Sequence, residues 1–170
     1  MSKFLEDVFV TEGVPLYTFV KPPNYNEILV DMRKSGKPVI IEGQSGTGKT
    51  TTIKKILEQL SVGININYLS ARKAIDIETI IKLANEIPTG YFGLDDFHRL
   101  STELQEKLAN IAKLAAEEGE GTKLPKLIII GINQIGSELI QLVPDIAKRC
   151  GIHRISSGTI ETINNLITKG

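Results

Sequence analysis

The residues best suited to chemistry form a glycine-rich octet, Gly43 to Thr50, which reads GQSGTGKT and fits the pattern G-x-x-x-x-G-K-[ST]. An apolar run precedes the octet at Val39 to Ile41, and a helical pattern follows it from Thr51 to Leu60. Glycine lets the backbone turn tightly and point its N–H groups inward at a triphosphate, and the helix N-terminus adds further unpaired N–H groups. The octet therefore predicts a phosphate-binding loop between a strand and a helix.

Two side chains of the octet would act on the nucleotide directly. Lys49 would place a positive charge on the outer phosphates, and the Thr50 hydroxyl would bind Mg²⁺ between the outer phosphate oxygens. We therefore predict that the chain binds a nucleoside triphosphate together with Mg²⁺. The predicted nucleotide-binding residues are Gly43, Gln44, Ser45, Gly46, Thr47, Gly48, Lys49, Thr50 and Thr51.

A second segment, Tyr91 to Asp96, has the pattern of a hydrophobic strand that ends in two carboxylates. Acids at the carboxyl end of a strand lie at the sheet edge where doubly wound folds bind ligands. In phosphate-loop enzymes such a first acid, here Asp95, holds Mg²⁺ through its water shell, and a second acid orients or deprotonates the attacking water. We predict that second role for Asp96. The alternative is that the two aspartates only cap a helix that starts near Phe97.

The elements that must position these residues alternate along the chain. The predicted strands are 39–42, 64–69, 90–94, 126–132 and 152–155, and the predicted helices are 26–34, 50–60, 75–85, 102–117 and 136–150. Such alternation predicts an α/β fold with a doubly wound, mainly parallel five-stranded sheet and helices on both faces. The runs at 39–41 and 127–130 are continuously apolar, as strands covered on both faces should be, so they are the predicted central pair.

Composition limits the classes of function. At 170 residues the chain is about one domain, and its 20 basic and 20 acidic side chains give no net charge that would favour nucleic acid or an anionic membrane. The single cysteine, Cys150, cannot form an internal disulfide, and no spacing of Cys and His suggests a zinc site. The longest apolar run, at 127–130, is far shorter than the roughly 18 residues of a membrane span. We therefore expect a cytoplasmic protein without a membrane segment.

The two segments together resemble the AAA+ superfamily and its STAND relatives. GQSGTGKT is similar to their Walker A motif, GYFGLDDFHRL is similar to their Walker B motif, and DDFHRL resembles the D-E-x-H-R-L of some AAA+ members. The resemblance implies a P-loop ATPase core over most of residues 37–156. The chain departs from the commonest pattern because its second acid is Asp96 rather than glutamate. A second aspartate is frequent in STAND switch ATPases, and its shorter side chain favours slower hydrolysis.

The resemblance implies two further site residues. Asn133, at the end of the strand predicted at 126–132, matches the polar sensor residue near the outer phosphate, and a turn asparagine is the alternative. Arg149 lies where AAA+ proteins carry an arginine finger, whose guanidinium stabilises transition-state charge on a neighbouring subunit's nucleotide. Lys148 and Arg154 compete for that role, and a solvated arginine at a helix end is the alternative. The predicted catalytic residues are therefore Lys49, Asp96, Asn133 and Arg149.

The resemblance also divides the chain and implies a function. Residues 1–36 would be an N-terminal arm and helix, residues 37–156 the ATPase core, and residues 157–170 the start of a truncated lid or linker helix. The core would hydrolyse ATP to ADP, slowly in isolation, and its ATP-bound state would form a homo-oligomer coupled to attached domains or partner proteins. ATP is preferred over GTP because of the resemblance and because the guanine-reading N-K-x-D motif is absent. The alternatives are an ATP-binding adaptor with little turnover, serving assembly or DNA transactions, and a P-loop kinase, for which no arginine-rich lid segment is visible.

Overall fold

The computed structural model describes residues 19–60 and 64–156. The helices and strands are α1 (Tyr25–Arg33), β1 (Val39–Glu42), α2 (Lys49–Leu60), β2 (Ile66–Ser70), α3 (Ala74–Glu86), β3 (Tyr91–Asp95), α4 (Thr102–Glu118), β4 (Lys126–Gly131), α5 (Ile135–Leu142) and β5 (Gly151–Arg154). Two 3-10 helices, Phe97–Arg99 and Pro144–Lys148, precede α4 and β5. No helix in these two ranges is long and apolar enough to cross a membrane. Most of the predicted arm and the predicted lid at 157–170 lie outside the described residues.

The five strands form one sheet in the order β2-β3-β4-β1-β5, and all four neighbouring pairs are parallel. The predicted α/β fold is therefore confirmed, with a sheet that is wholly parallel. The predicted central pair is confirmed as well, because β4 is the middle strand and β1 lies beside it. Every residue of both strands is buried. The loop that follows β1 thus starts from the interior of the sheet and not from an edge strand.

Alternate side chains of the central strands enter two separate cores, as the two-residue period of a strand requires. Ile40 and Ile129 pack with α3, α4 and α5 on one face of the sheet. Ile41 and Ile130 pack with α1 and α2 on the other face. Full burial of such a side chain stabilises the fold by roughly 1.5–3 kcal/mol. The helices on both faces therefore hold β1, and the loop after it, in a fixed position.

Two predicted elements differ from the structure. The helix predicted at 136–150 is wrong as a single element, because α5 ends at Leu142 and a 3-10 helix begins at Pro144. Proline has no N–H for a helical hydrogen bond and restricts the residue before it, and Val143 has φ −136° and ψ 86°. The strand predicted at 64–69 begins two residues later, at Ile66, and ends at Ser70. The other predicted bounds agree with the structure to within one residue.

A buried lysine lies at the amino ends of the strands, on the opposite side of the sheet from the phosphate loop. Lys126, the first residue of β4, is 3% exposed and donates to the backbone carbonyls of Asp31 at 3.0 Å, Lys34 at 2.7 Å and Lys37. Burial lowers the pKa of Lys126 to about 7, although the charge of Asp31 opposes the shift. Burial also disfavours the charge of Asp31, but hydrogen bonds with Lys37 and His153 hold the pKa of Asp31 below its usual value. These contacts fix the end of α1 against the sheet.

Candidate functional site

The octet lies between the end of β1 and the start of α2, at the carboxyl edge of the sheet. Gly46 and Gly48 have φ values of 79° and 84°, in the left-handed region that favours glycine. At Gly43 a Cβ atom would lie 2.2 Å from the carbonyl oxygen of Ile155. The geometry of this loop therefore requires glycine at all three positions.

Lys49 is the first residue of α2, and its side chain returns over the loop. Its Nζ donates to the carbonyl oxygen of Gly43 at 2.9 Å and to that of Gln44 at 2.7 Å. Burial lowers the pKa of Lys49, while the negative charges of Asp95 and Asp96 oppose the shift. An ammonium group has three N–H donors, and these two bonds use two of them. The third can donate to a phosphate placed in the loop.

The Thr50 hydroxyl and the Asp95 carboxylate, predicted as the metal-binding pair, are in direct contact. Thr50 Oγ1 donates to Asp95 Oδ2 at 2.9 Å, and the backbone N–H of Asp96 donates to Asp95 Oδ1 at 2.8 Å. Two protein oxygens suit Mg²⁺, a hard cation that takes its other ligands from phosphates and water. Within residues 19–60 and 64–156, no three His, Cys, Asp or Glu side chains are grouped so that they could hold a metal ion.

Asp96 has different partners from Asp95. Its Oδ2 lies 2.8 Å from Arg72 Nε and accepts a 3.4 Å hydrogen bond from the Ser70 hydroxyl. Its backbone has φ 54°, a left-handed conformation that is uncommon for residues other than glycine. Asp96 is at the N-cap position of the 3-10 helix Phe97–Arg99 but makes no side-chain cap hydrogen bond. The carboxylate therefore contacts the end of β2 and does not act as the helix cap that was the alternative interpretation.

The loop, the two acids and the end of β4 enclose one cleft. Its lining residues are Ser45, Gly46, Gly48, Lys49, Thr50, Thr51, Arg72, Asp95, Asp96, His98, Gly131 and Ile132. Asn133 comes directly after the lining residue Ile132 in the sequence and is half-buried. It therefore lies at the same edge of the sheet as the loop. The structure thus brings Lys49, Thr50, Asp95 and Asp96 together in the cleft and places Asn133 beside it.

Solved structures with a similar fold include Cdc6p from Pyrobaculum aerophilum, with a TM-score of 0.64 and 17% sequence identity. A Thermotoga maritima RuvB, described as a Holliday junction branch migration motor, matches with a TM-score of 0.53 and 21% identity. The chain therefore shares the α/β fold of these two proteins. The matches cover 96% and 86% of this chain but 52% and 49% of those two proteins. This chain therefore spans about half the length of each solved structure.

Sequence comparison finds two curated proteins that are similar to part of this chain. Neuron navigator 3 from Mus musculus and from Homo sapiens are each 34% identical to it over 100 residues, which is 58% of this chain. The chain covers 4% of the mouse protein and 3% of the human protein, so the similarity concerns a small part of each. No protein-family model matches the chain.

Arg149 lies near the amino ends of the strands, on the opposite side of the sheet from the cleft. It precedes β5, whose first residue, Gly151, donates its N–H to the carbonyl of Pro38 just before β1 at 2.9 Å. Arg149 Nη2 lies 3.5 Å from Glu117 Oε1 near the end of α4, and the arginine side chain is 41% exposed. Within one chain, therefore, Arg149 is not brought to the phosphate loop.

A buried carboxylate supports the start of the loop and engages Arg154. Glu42, the last residue of β1, is 7% exposed. Its Oε1 accepts from Arg154 Nε at 3.1 Å and Nη2 at 2.9 Å, and its Oε2 accepts from the Gly136 N–H at 3.2 Å. These bonds join β1, α5 and β5 directly before Gly43. Arg154 therefore holds the loop of its own chain in place.

Sequence reasoning missed three residues on β2 or directly after it. Tyr68, Ser70 and Arg72 each contact one of the two acids at the end of β3. No motif marks these residues, and the available signal is their position, because polar side chains at the carboxyl edge of a parallel sheet lie where ligands bind. The order of the strands is a property of the whole sheet. The sequence of β2 alone therefore does not predict that β2 lies beside β3.

Proposed function

We propose that this chain is the ATP-binding and ATP-hydrolysing core of an AAA+ or STAND-type protein, in which the nucleotide state controls self-association and the activity of attached domains. The observation that carries the proposal is the contact between Thr50 and Asp95 beside a complete phosphate loop, with Asp96 as a second acid next to it. One cleft then has a phosphate-binding loop, a metal-binding pair and a carboxylate that can activate water.

Each residue of the cleft has a separate proposed role. The loop N–H groups and Lys49 bind the phosphates, and Thr50 and Asp95 hold Mg²⁺, which neutralises charge on the outer phosphate oxygens. Asp96 orients the attacking water and accepts its proton. Asn133 contacts the outer phosphate and the water, because an amide can donate to one and accept from the other.

A neighbouring copy of the chain supplies Arg149. Its side chain is 41% exposed at the edge opposite its own cleft, so it is accessible to a neighbour and distant from its own nucleotide. A guanidinium that reaches the outer phosphate stabilises the charge of the transition state. Assembly and hydrolysis are then coupled, since each cleft is completed by a second subunit.

A second candidate function is an ATP-binding adaptor with little turnover. It is favoured by the contacts of Asp96, whose Oδ2 is engaged by Arg72 and Ser70. In the adaptor this oxygen would serve to hold the end of β2 and would not bind a water molecule. The two candidates differ in phosphate release and not in ATP binding.

The test compares the parent 170-residue chain with Lys49→Ala, Asp96→Asn and Arg149→Ala. ATP binding is measured by calorimetry, turnover by phosphate release, and assembly by light scattering with and without ATP. We expect Lys49→Ala to lose binding, Asp96→Asn to accumulate an ATP-bound assembly, and Arg149→Ala to bind ATP but lose turnover. Arg33→Ala removes another exposed arginine, far from the cleft on α1, and should behave as the parent does.

Each failure has a distinct meaning. If the parent chain binds no ATP, both candidate functions are wrong. ATP binding without phosphate release, in the presence of ATP-dependent assembly, would establish the adaptor. A particle mass that does not change with ATP would contradict the role of Arg149 in a neighbouring subunit. Turnover in the isolated chain should stay well below the order of 10 per second that is typical of efficient enzymes.

A further inference from the structure

A tyrosine outside the recognised motifs reaches the metal-binding pair. Tyr68 lies on β2, and its hydroxyl is 2.5 Å from Asp95 Oδ2 and 3.3 Å from Thr50 Oγ1. A hydroxyl has one proton to donate, and the shorter contact with the charged carboxylate takes it. Asp95 Oδ2 therefore accepts two hydrogen bonds, one from Tyr68 and one from Thr50.

The sheet leaves room for this tyrosine at one specific place. Tyr68 on β2 is directly opposite Gly93 on β3 in the parallel register. A Cβ atom at Gly93 would lie 2.9 Å from Cδ2 and 3.3 Å from Cε2 of the Tyr68 ring. Lys54 Nζ on α2 lies 5.7 Å from the centre of the same ring. The ring is thus held between the backbone of β3 and the side chain of α2.

The environment keeps the phenol protonated. Burial raises the pKa of Tyr68, and the negative charge of Asp95 raises it further. An ionised carboxylate only accepts hydrogen bonds, so the 2.5 Å contact with Asp95 Oδ2 makes the Tyr68 hydroxyl the donor. The Tyr68 hydroxyl thus orients the Asp95 carboxylate and does not bind the metal ion itself.

We propose that Tyr68 is a positioning residue that fixes the Asp95 carboxylate for Mg²⁺, and that Gly93 is required because it makes room for the Tyr68 ring. This proposal rests on the proposed binding of ATP with Mg²⁺. A carboxylate offers about four lone-pair sites. Thr50, Tyr68 and the Asp96 N–H occupy three of them, so the orientation of Asp95 is set before the metal arrives.

The test is the affinity for ATP measured by calorimetry in Mg²⁺ and again in EDTA, for the parent chain and for Tyr68→Phe. The substitution keeps the ring and removes only the hydroxyl. We expect unchanged affinity in EDTA and a fall of about tenfold or more in the enhancement that Mg²⁺ produces, the effect of one hydrogen bond to a charged group. This readout needs no turnover.

Two other variants make the result specific. Tyr25→Phe is the matched control, because it removes another buried tyrosine hydroxyl, which donates at 3.1 Å to Gln59 near the end of α2. It should leave both affinities unchanged. Gly93→Ala should lower the Mg²⁺ enhancement as Tyr68→Phe does, and the double variant should show no additional loss.

The outcomes separate this proposal from the proposed function. An unchanged Mg²⁺ enhancement in Tyr68→Phe overturns the role of Tyr68 and leaves ATP binding intact. An equal loss of affinity in Mg²⁺ and in EDTA also overturns it, since Tyr68 would then serve only the fold of the loop. A parent chain that binds no ATP overturns the proposed function and the role of Tyr68 together.

Discussion

Replacing Arg72 with alanine should speed phosphate release at saturating ATP, because Arg72 holds the carboxylate that we propose activates water. Arg72 Nε lies 2.8 Å from Asp96 Oδ2, the arginine side chain is 62% exposed and the aspartate side chain is 14% exposed. An ion pair with one partner largely in water contributes up to about 1 kcal/mol. This energy corresponds to about a fivefold change in the equilibrium constant between Asp96 paired with Arg72 and Asp96 free. We therefore expect the rate of phosphate release to rise by up to about fivefold.

The assay is steady-state phosphate release at saturating ATP, so that a change in affinity does not affect the rate. The double variant with Asp96→Asn should lose the gain, because the gain depends on a free carboxylate at position 96. Arg33→Ala should leave the rate unchanged. A lower rate in Arg72→Ala at saturating ATP would refute the reasoning, since Arg72 would then stabilise the phosphates and not restrain Asp96.

Two further substitutions test the surroundings of the cleft. Gly43→Ala should lower ATP affinity about tenfold or more in calorimetry, because its Cβ would lie 2.2 Å from a backbone oxygen of Ile155 and must displace the loop; unchanged affinity would contradict this. Lys126→Met should abolish a pH dependence of the free energy of unfolding. Burial lowers the pKa of Lys126 from 10.5 to about 7 in the folded parent chain. Between these two pH values the unfolded chain binds more protons than the folded chain, so the stability of the parent rises with pH. Urea unfolding near pH 7 and near pH 9 should show a gain on the order of 1 kcal/mol per pH unit in the parent only. An equal gain in both proteins would mean that the carbonyls around Lys126 keep it charged.

Much of the fold could be predicted because its signals are local. The runs 39–41 and 127–130 are apolar at every position, which predicted buried central strands, and they form the adjacent inner strands of the sheet. The octet and the acids at Asp95 and Asp96 are marked by residue type and by position at strand ends. The break between α5 and the 3-10 helix was also visible in principle, because Pro144 interrupts the helical pattern.

The partners of the two acids could not be predicted because they depend on the order of the strands. Tyr68 and Arg72 reach β3 only because β2 is the neighbour of β3 in the sheet. The surroundings of Arg149, on the other side of the sheet, could not be predicted either. Its place in the sequence resembles that of an arginine finger, but its access to a neighbouring subunit depends on the surface of the folded chain. Gly93 is a third case, because glycine is needed there to make room for the ring of Tyr68 and not to form a turn.

The contacts of β2 divide the two acids into different chemical roles. Asp95 is held by neutral hydroxyls, from Tyr68 and Thr50, which form no ion pair with the carboxylate. Asp96 is held by the cation Arg72, which compensates its charge and must release it before the carboxylate can take a proton. One edge strand and the residues directly after it thus contact both the acid proposed to bind Mg²⁺ and the acid proposed to activate water. Substitutions in this segment should therefore separate the two steps, with Tyr68→Phe changing the dependence on Mg²⁺ and Arg72→Ala changing the rate of turnover.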